Sequence, residues 1–166
     1  MLHPEKNNIL CPEQHGFPRG RSCGEQLVGY TGEATVEMEK GNQEDTIVRD
    51  FSKAFEKVDY TLLIHNFRRY GIGGRLNSWI ESFLEDRQQA VVVDGDKSDF
   101  VPVDPGVPQG SVLGPTLFLI YINYLPEGIM SKICLFTDDT ICAELSAQKV
   151  DQRVLQEDLD TLTTLE

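Results

Sequence analysis

The sequence predicts an α/β fold built from short buried strands and amphipathic helices. Two apolar runs, at residues 46–51 and 133–142, have the length and composition of short strands. Two stretches within residues 57–85 instead repeat apolar side chains at helical spacing. With 166 residues, 40% of them hydrophobic and 25% charged, the chain can bury the core of one ordinary globular domain.

The two central helices are predicted from the positions of their apolar residues. The first covers residues 57–70 and stops at Gly71, a residue type that commonly follows a helix C-terminus. The second covers residues 75–85, with apolar residues at i, i+3, i+4, i+7 and i+8. The side chains expected in the core are Val58, Leu62, Leu63 and Phe67 in the first helix, and Leu76, Trp79, Ile80, Phe83 and Leu84 in the second.

Further strands are predicted on either side of a turn. Residues 88–93 and 100–103 are expected to be strands joined across the Asp94-Gly95-Asp96 turn region. Residues 133–142 are expected to form a hairpin in which the acidic pair lies between two apolar arms.

Three other stretches complete the predicted elements. Residues 112–122 are expected to form a buried helix, whereas the polar stretch 29–45 is expected to be a loop. A last helix is predicted over residues 150–165, and its apolar face comprises Val150, Val154, Leu155, Leu159 and Leu162.

Acidic side chains stand at the ends of the two strand-like runs. Asp50 ends the first, and Asp138 and Asp139 interrupt the second; these three residues are called the carboxylate cluster. Buried charges are costly unless neutralised, and Mg²⁺ binds through one or two protein carboxylates, waters and substrate phosphates. The cluster could hold two ions about 3.5–4 Å apart, as in in-line phosphoryl transfer. An Asp pair is equally an ordinary turn signal, so both interpretations stay open.

A glycine- and proline-rich segment, residues 105–115, precedes the predicted buried helix. Gln109, Gly110 and Ser111 are predicted to open this helix. The free amides and dipole of a helix N-terminus attract anions, so these residues are candidates for phosphate contacts. Ser111 is equally suited to be a plain N-cap, and the two roles are compatible.

Several motifs in order carry a family resemblance. They are Gln14-His15-Gly16-Phe17 with Gly20-Arg21-Ser22-Cys23, the stretch from Asp50 to Asp59, residues 70–89, residues 106–115, residues 136–140 and residues 155–160. Together they resemble the reverse transcriptase domain of non-LTR retrotransposons, the long interspersed elements.

The resemblance implies a right-hand polymerase palm, an antiparallel sheet backed by helices. Residues 10–45 would be part of the fingers and residues 46–166 the palm of one reverse transcriptase domain, with the thumb missing. Because upstream fingers strands and the thumb would be absent, we expect a palm-centred piece of weak nucleic-acid affinity.

The resemblance also implies roles for particular residues. The carboxylate cluster would bind two Mg²⁺ ions and be catalytic, and the carbonyl of Phe51 would face the metal. Phe55 would be the aromatic gate that excludes a ribose 2′-hydroxyl. Gln109 and Gly110 would contact the incoming nucleotide and the template. The expected partners are an RNA template, a DNA primer and deoxynucleoside triphosphates.

The chain also departs from the family pattern. Thr137 stands where a small alanine is usual, Arg49 where an apolar residue is usual, and Pro18 where an arginine is expected. Such changes suit a drifting genomic copy, and the alternative is an inactive polymerase fold kept for binding. A response-regulator receiver, another Mg²⁺-dependent class, fits worse, because it places its acidic pair before the single aspartate.

Charge, cysteine content and hydropathy bear on three further questions: nucleic-acid binding, a zinc site and membrane contact. The formal net charge is −12, with 27 acidic and 15 basic residues, although the middle of the chain is basic. Cys11, His15 and Cys23 could begin a zinc site, but they lack an evident fourth ligand, so free or buried thiols are the alternative. No targeting segment is evident and residues 112–122 are too short to span a bilayer, so we expect an intracellular protein without membrane contact.

Overall fold

The computed structural model describes residues 9–103, 105–145 and 149–164, without the side chains of residues 149–151. The chain divides into two compact units. Unit 1 consists of Met1–Ser52 and Ile122–Glu166, and unit 2 of Lys53–Tyr121. The boundary predicted between fingers and palm, near residue 46, stays a prediction.

Unit 1 is built on a three-stranded antiparallel sheet. Its strands are β1 (Glu44–Asp50), β6 (Lys132–Phe136) and β7 (Asp139–Leu145), in the order β1-β7-β6. Alternate side chains of β6 and β7, among them Leu135 and Cys142, are fully buried, as expected for strands with one covered face. The hairpin predicted over residues 133–142 is therefore confirmed.

Two helices back this sheet. Helix α1 (Cys23–Glu39) packs on β1, and α5 (Lys149–Thr164) packs on β7. Leu155 and Leu162 of α5 are buried, which confirms the apolar face predicted for this helix; residue 165 and the side chain of Val150 lie outside the description. The predicted antiparallel sheet backed by helices is thus present in unit 1.

Helix α1 corrects the loop predicted over residues 29–45. Ser22 caps it by accepting a hydrogen bond from the Glu25 amide (3.1 Å), and the helix continues for 17 residues. The prediction was wrong because Gln26 is the one buried residue described in this helix, so no apolar stripe marks it in the sequence. Strand β1 also begins at Glu44, within the supposed loop.

The two central helices lie in unit 2. Helix α2 (Tyr60–Arg69) begins later than predicted because Asp59 caps it, accepting from the Leu62 amide at 2.8 Å. Helix α3 (Arg75–Leu84) begins where predicted and ends one residue earlier. Its predicted core face is wrong in part, because Leu76 and Trp79 are 48% and 52% exposed. The buried residues of α3 are Asn77, Ile80 and Leu84. The side of the helix that is buried is therefore rotated about the helix axis from the centre of its apolar side.

The two strands predicted after α3 form a broken hairpin. Strand β2 (Gln88–Gln89) pairs with β5 (Val101–Pro102), and β3 (Val92–Val93) pairs with β4 (Asp96–Lys97). Asp94 and Gly95, with φ of +52° and +94°, form the two-residue loop, as in the mirror-image turns typical of tight hairpins.

Helix α4 spans Gly114–Ile122 and begins two residues later than predicted. Its central residues, Leu117 to Ile120, are all buried, as predicted. None of the helices in the described ranges combines the length and the apolar character needed to cross a membrane.

Candidate active site

Strand pairing in unit 1 brings the carboxylate cluster to one end of the sheet. Phe136 of β6 pairs with Asp139 of β7, so Thr137 and Asp138 form the tight turn between these strands. Asp50, the last residue of β1, pairs directly with Asp139. Residues paired in this way have Cα atoms about 5 Å apart. The Phe51 amide then donates to the Asp138 carbonyl (3.3 Å), which ties the end of β1 to the turn.

The cluster is electrostatically uncompensated. Partial desolvation, then the neighbouring carboxylates of Asp138 and Asp50, raise the pKa of Asp139 above its ordinary value of 3.8. Asp50 and Asp139 are exposed and Asp138 is half-buried. Within the described ranges, no ion pair engages any of the three. Carboxylate oxygens at adjacent strand ends are the type of donor that a hard divalent metal ion such as Mg²⁺ prefers.

The side chains themselves are not gathered around one point. Across residues 9–103, 105–145 and 149–164, no three His, Cys, Asp or Glu side chains are arranged to hold a metal ion. The backbone therefore brings the carboxylates together, and rotation about exposed side-chain bonds is what would converge their oxygens. Such rotations take picoseconds to nanoseconds at the surface.

The raised pKa of Asp139 predicts a pH effect on the metal-free chain. The folded state holds this proton at higher pH than the unfolded chain does, so the carboxyl group disfavours folding at neutral pH. The penalty is lost as the pH falls through the raised pKa towards 3.8. In chelator, urea unfolding is expected to show Asp139→Asn as more stable than the wild type at pH 7, with the difference shrinking on acidification. A difference that grows on acidification would contradict this.

The turn that carries Asp138 has an unusual backbone. Thr137 adopts a left-handed conformation, with φ of +59°, which is unfavourable for a β-branched residue. Its amide donates to the side-chain oxygen of Gln14 (2.9 Å), a residue that is only 2% exposed. Sequence reasoning noted Gln14 within a motif without finding this contact, because 123 residues separate the partners.

Arg49, which directly precedes Asp50 in the sequence, is half-buried. Its guanidinium donates to the Leu159 carbonyl of α5 at 3.5 Å. The side chain is thus directed at the helix that covers the sheet, which is how this departure from an apolar residue is accommodated.

The other predicted site residues lie in unit 2. Phe55 is half-buried and stacks on Phe118, with ring centroids 4.5 Å apart. Its carbonyl accepts from the Val107 amide (2.8 Å), so the segment before α4 is tied to the Phe55 turn. Gln109 and Gly110 are exposed in a turn, four or more residues before α4 begins, and so do not open the helix as predicted.

Ser111 makes the contact expected of a cap. Its hydroxyl oxygen accepts from the amide of Gly114, the first residue of α4, at 2.8 Å. Ser111 thus satisfies an amide of the first turn from three positions before the helix, although Leu113 is the residue that directly precedes α4. The contact to an anion stays a prediction.

The possible zinc site finds no support among the described residues, where no three suitable side chains are grouped. Burial chiefly, with help from the Glu13 carboxylate, raises the pKa of Cys11 from 9.0 to about 11. Burial likewise raises the pKa of Cys142 to about 11. Cys11 and Cys142 are thus protonated thiols at neutral pH.

These shifts predict a clear order of thiol reactivity. At pH 8 the thiolate of Cys11 or Cys142 should be about a hundredfold scarcer than for a thiol of pKa 9.0. Iodoacetamide is therefore expected to alkylate exposed Cys23 first, which peptide mass spectrometry can follow. Equal rates at Cys11 and Cys23 would show that half-burial does not suppress the reactivity of Cys11 as expected.

A sheet of this order, backed by helices and carrying acidic residues at the ends of adjacent strands, has the architecture of a polymerase palm. The model of the family "Reverse transcriptase (RNA-dependent DNA polymerase)" matches residues 1–165. The chain belongs to the reverse transcriptase family, and the predicted kinship with non-LTR retrotransposons is confirmed by its relatives. Reverse transcriptases generally use divalent metal ions.

Two relatives are named "RNA-directed DNA polymerase from mobile element jockey". That of Drosophila melanogaster is 37% identical over 113 residues, 68% of this chain and 12% of the relative. That of Drosophila funebris is 34% identical over 114 residues, 69% of this chain and 12% of the relative. The chain thus spans about an eighth of the length of these curated relatives.

A solved structure shares the fold. The apo telomerase of Candida tropicalis, truncated from its C-terminal domain, superposes with a TM-score of 0.63 at 14% sequence identity. The match covers 89% of this chain and 32% of the telomerase chain. The predicted fold class is confirmed by this likeness.

Proposed function

We propose that this chain carries the catalytic carboxylates of an RNA-directed DNA polymerase. The observation that supports it most is the pairing of Asp50 with Asp139, beside the turn that holds Asp138. Three carboxylates at one end of a sheet in a reverse transcriptase family member are suited to nucleotidyl transfer. The reaction joins a primer 3′-hydroxyl to the α-phosphate of a deoxynucleoside triphosphate and releases pyrophosphate.

The carboxylate cluster would hold two Mg²⁺ ions. Its donors are all oxygens, and no described ion pair neutralises them. Desolvation, followed by the carboxylates of Asp138 and Asp50, raises the pKa of Asp139. Asp50 and Asp138 are the principal ligands in this proposal, with Asp139 and the Phe51 carbonyl beside them. When bound, such ions stabilise negative charge on the attacking and leaving oxygens.

Unit 2 would supply contacts to the nucleotide. Phe55 is the proposed gate against a ribose 2′-hydroxyl, and its stacking on the buried Phe118 ring restricts its orientation. Gln109 and Gly110 are the proposed contacts to the nucleotide and template, and both are exposed. Their turn is tied to the Phe55 segment through the Val107 amide.

The proposed partners are an RNA template, a DNA primer and deoxynucleoside triphosphates. A net charge of −12 disfavours binding to phosphate backbones, so affinity for the primer–template should be low and fall further with salt. Assays therefore belong at low ionic strength, with the primer–template in excess.

The test is primer extension by this chain, using oligo(dT) on poly(A) with Mg²⁺. Addition of dTTP should require Mg²⁺, stop in excess chelator and be lost in Asp138→Ala. UTP should be rejected by the wild type and accepted by Phe55→Ala. Absence of extension from a folded wild-type chain with excess primer–template would count against the proposal and favour an inactive, binding-only polymerase fold.

A further inference from the structure

Strand β6 is held at both ends by side chains from distant parts of unit 1. At its start, the buried carboxylate of Asp158 accepts from the amides of Met130 (3.1 Å) and Ser131 (2.7 Å). At its far end, the Gln14 carboxamide oxygen accepts from the amide of Thr137 (2.9 Å). The two contacts are chemically alike, but only the second touches the turn that carries Asp138.

Gln14 is itself firmly placed. It forms a parallel bridge with Leu135, flanked by hydrogen bonds from the His15 amide to the Leu135 carbonyl (2.8 Å) and from the Leu135 amide to the Glu13 carbonyl (3.0 Å). A guanidinium nitrogen of Arg21 donates to its carbonyl (2.7 Å). The side chain therefore enters the β6–β7 turn from a segment hydrogen-bonded along β6.

The same oxygen also fixes the neighbouring Gly16, whose amide lies 2.7 Å away. A Cβ atom at Gly16 would lie 2.3 Å from Thr137 Oγ1 and 2.4 Å from the Thr137 amide nitrogen. Gly16 thus packs directly on the turn, which leaves Thr137 little room to move on that side.

The Thr137 conformation needs such support. A left-handed β-branched residue is intrinsically unfavourable, and its half-buried amide would lack a protein acceptor without Gln14. Loss of that acceptor would let φ of Thr137 return to negative values. The next residue in the chain is Asp138, so its carboxylate direction would change with the turn.

We propose that Gln14 is a positioning residue, whose carboxamide oxygen holds Thr137 left-handed and so keeps the backbone of Asp138 and Asp139 where their side chains can rotate onto a shared divalent cation. The inference rests on the proposed function. An uncharged acceptor suits this place, since a carboxylate in the same position would add a negative charge beside three others.

The test compares Gln14→Met with the matched control Asp158→Asn in the full chain. Both weaken an acceptor for amides that flank β6 within unit 1, but only the first reaches the turn. Binding of Mn²⁺ is followed by electron paramagnetic resonance, with Asp138→Asn marking the site. Gln14→Met should lower Mn²⁺ affinity about 10- to 100-fold, as for supporting groups of metal ligands, and speed hydrogen exchange of the Thr137 amide. Asp158→Asn should leave both unchanged despite a lower Tm.

Three results would decide against the inference. Mn²⁺ affinity of folded Gln14→Met within about twofold of the wild type would overturn it alone, as would an equal loss in Asp158→Asn. Absence of Mn²⁺ binding by the wild type would overturn the proposed function together with it. If Gln14→Met does not fold, Gln14→Asn, which retracts the same carboxamide by one methylene, is the milder variant with the same expectation.

Discussion

Replacing Asp138 by asparagine is expected to lower the rate of primer extension about a thousandfold. Stabilisation of transition-state charge by a bound metal is worth several kcal/mol, and about 4 kcal/mol corresponds to three powers of ten in rate. Asparagine keeps the size of the side chain but loses the charge that would bind the ion. The loss should appear in the maximal rate at saturating dTTP and Mg²⁺.

The same substitution should not harm the fold. The backbone contact of this position, the Asp138 carbonyl accepting from the Phe51 amide, does not depend on the side chain. Removing one of three neighbouring carboxylates also relieves repulsion on Asp139, whose pKa is raised by desolvation and then by the Asp138 carboxylate. In chelator, Asp138→Asn is therefore expected to melt at or slightly above the wild-type temperature.

Asp160→Asn is the matched control for this comparison. Asp160 is exposed on α5 in the same unit, where it accepts from Gln156 (2.8 Å), and it lies outside the carboxylate cluster. Its replacement should leave extension unchanged. Extension by Asp138→Asn at a rate like that of Asp160→Asn would remove Asp138 from the proposed site.

Replacing Gly106 by alanine is expected to destabilise unit 2 by about 3 kcal/mol or more. Gly106 has φ of +120°, a region that residues with a Cβ atom rarely adopt. The added Cβ would lie 2.6 Å from the Glu56 Cα and carbonyl oxygen and from the Phe55 carbonyl oxygen. These are backbone atoms, so no side-chain rotation relieves the contact.

Gly71→Ala separates backbone strain from crowding. Gly71 also has a positive φ, +72°, but no atom lies within 4 Å of a Cβ added there. This variant should cost about 1 kcal/mol, the usual penalty for a left-handed residue. The difference between the two variants therefore measures how tightly Gly106 packs on the Phe55 segment.

The single tryptophan gives a local signal for both variants. Trp79 lies on α3 in unit 2 and stacks on Phe83, with ring centroids 5.6 Å apart. Urea unfolding followed by its fluorescence should show a lower midpoint for Gly106→Ala than for Gly71→Ala. Equal midpoints would mean that Gly106 is not crowded by the Phe55 turn.

Local patterns in the sequence were enough to locate the carboxylate cluster and to predict much of the secondary structure. The acidic ends of residues 46–51 and 133–142 identified the carboxylate cluster, because charged side chains at strand ends stand out against apolar runs. The hairpin and the α3 boundaries followed from alternation and helical spacing. The ordered motifs identified the reverse transcriptase family, which the family model and the relatives confirm.

The burial of individual side chains could not be predicted as well as the position of a helix. Helical spacing shows which side of α3 is apolar, but the neighbours decide which part of that side is covered, so Trp79 is half-exposed and Asn77 is buried. Gln26 is the one buried residue of helix α1, so the sequence of this helix shows no amphipathic pattern. Its N-cap at Ser22 is a local feature that was too weak by itself to predict 17 helical residues.

The support of the turn between β6 and β7 was decided by tertiary structure alone. The register of β1 against β7 pairs Asp50 with Asp139, and the Gln14 side chain meets Thr137 from 123 positions away in the chain. No short-range pattern encodes a hydrogen bond between such distant residues. The acidic residues can therefore be identified from the sequence. Their placement relative to one another depends on long-range strand pairing that only the folded chain establishes.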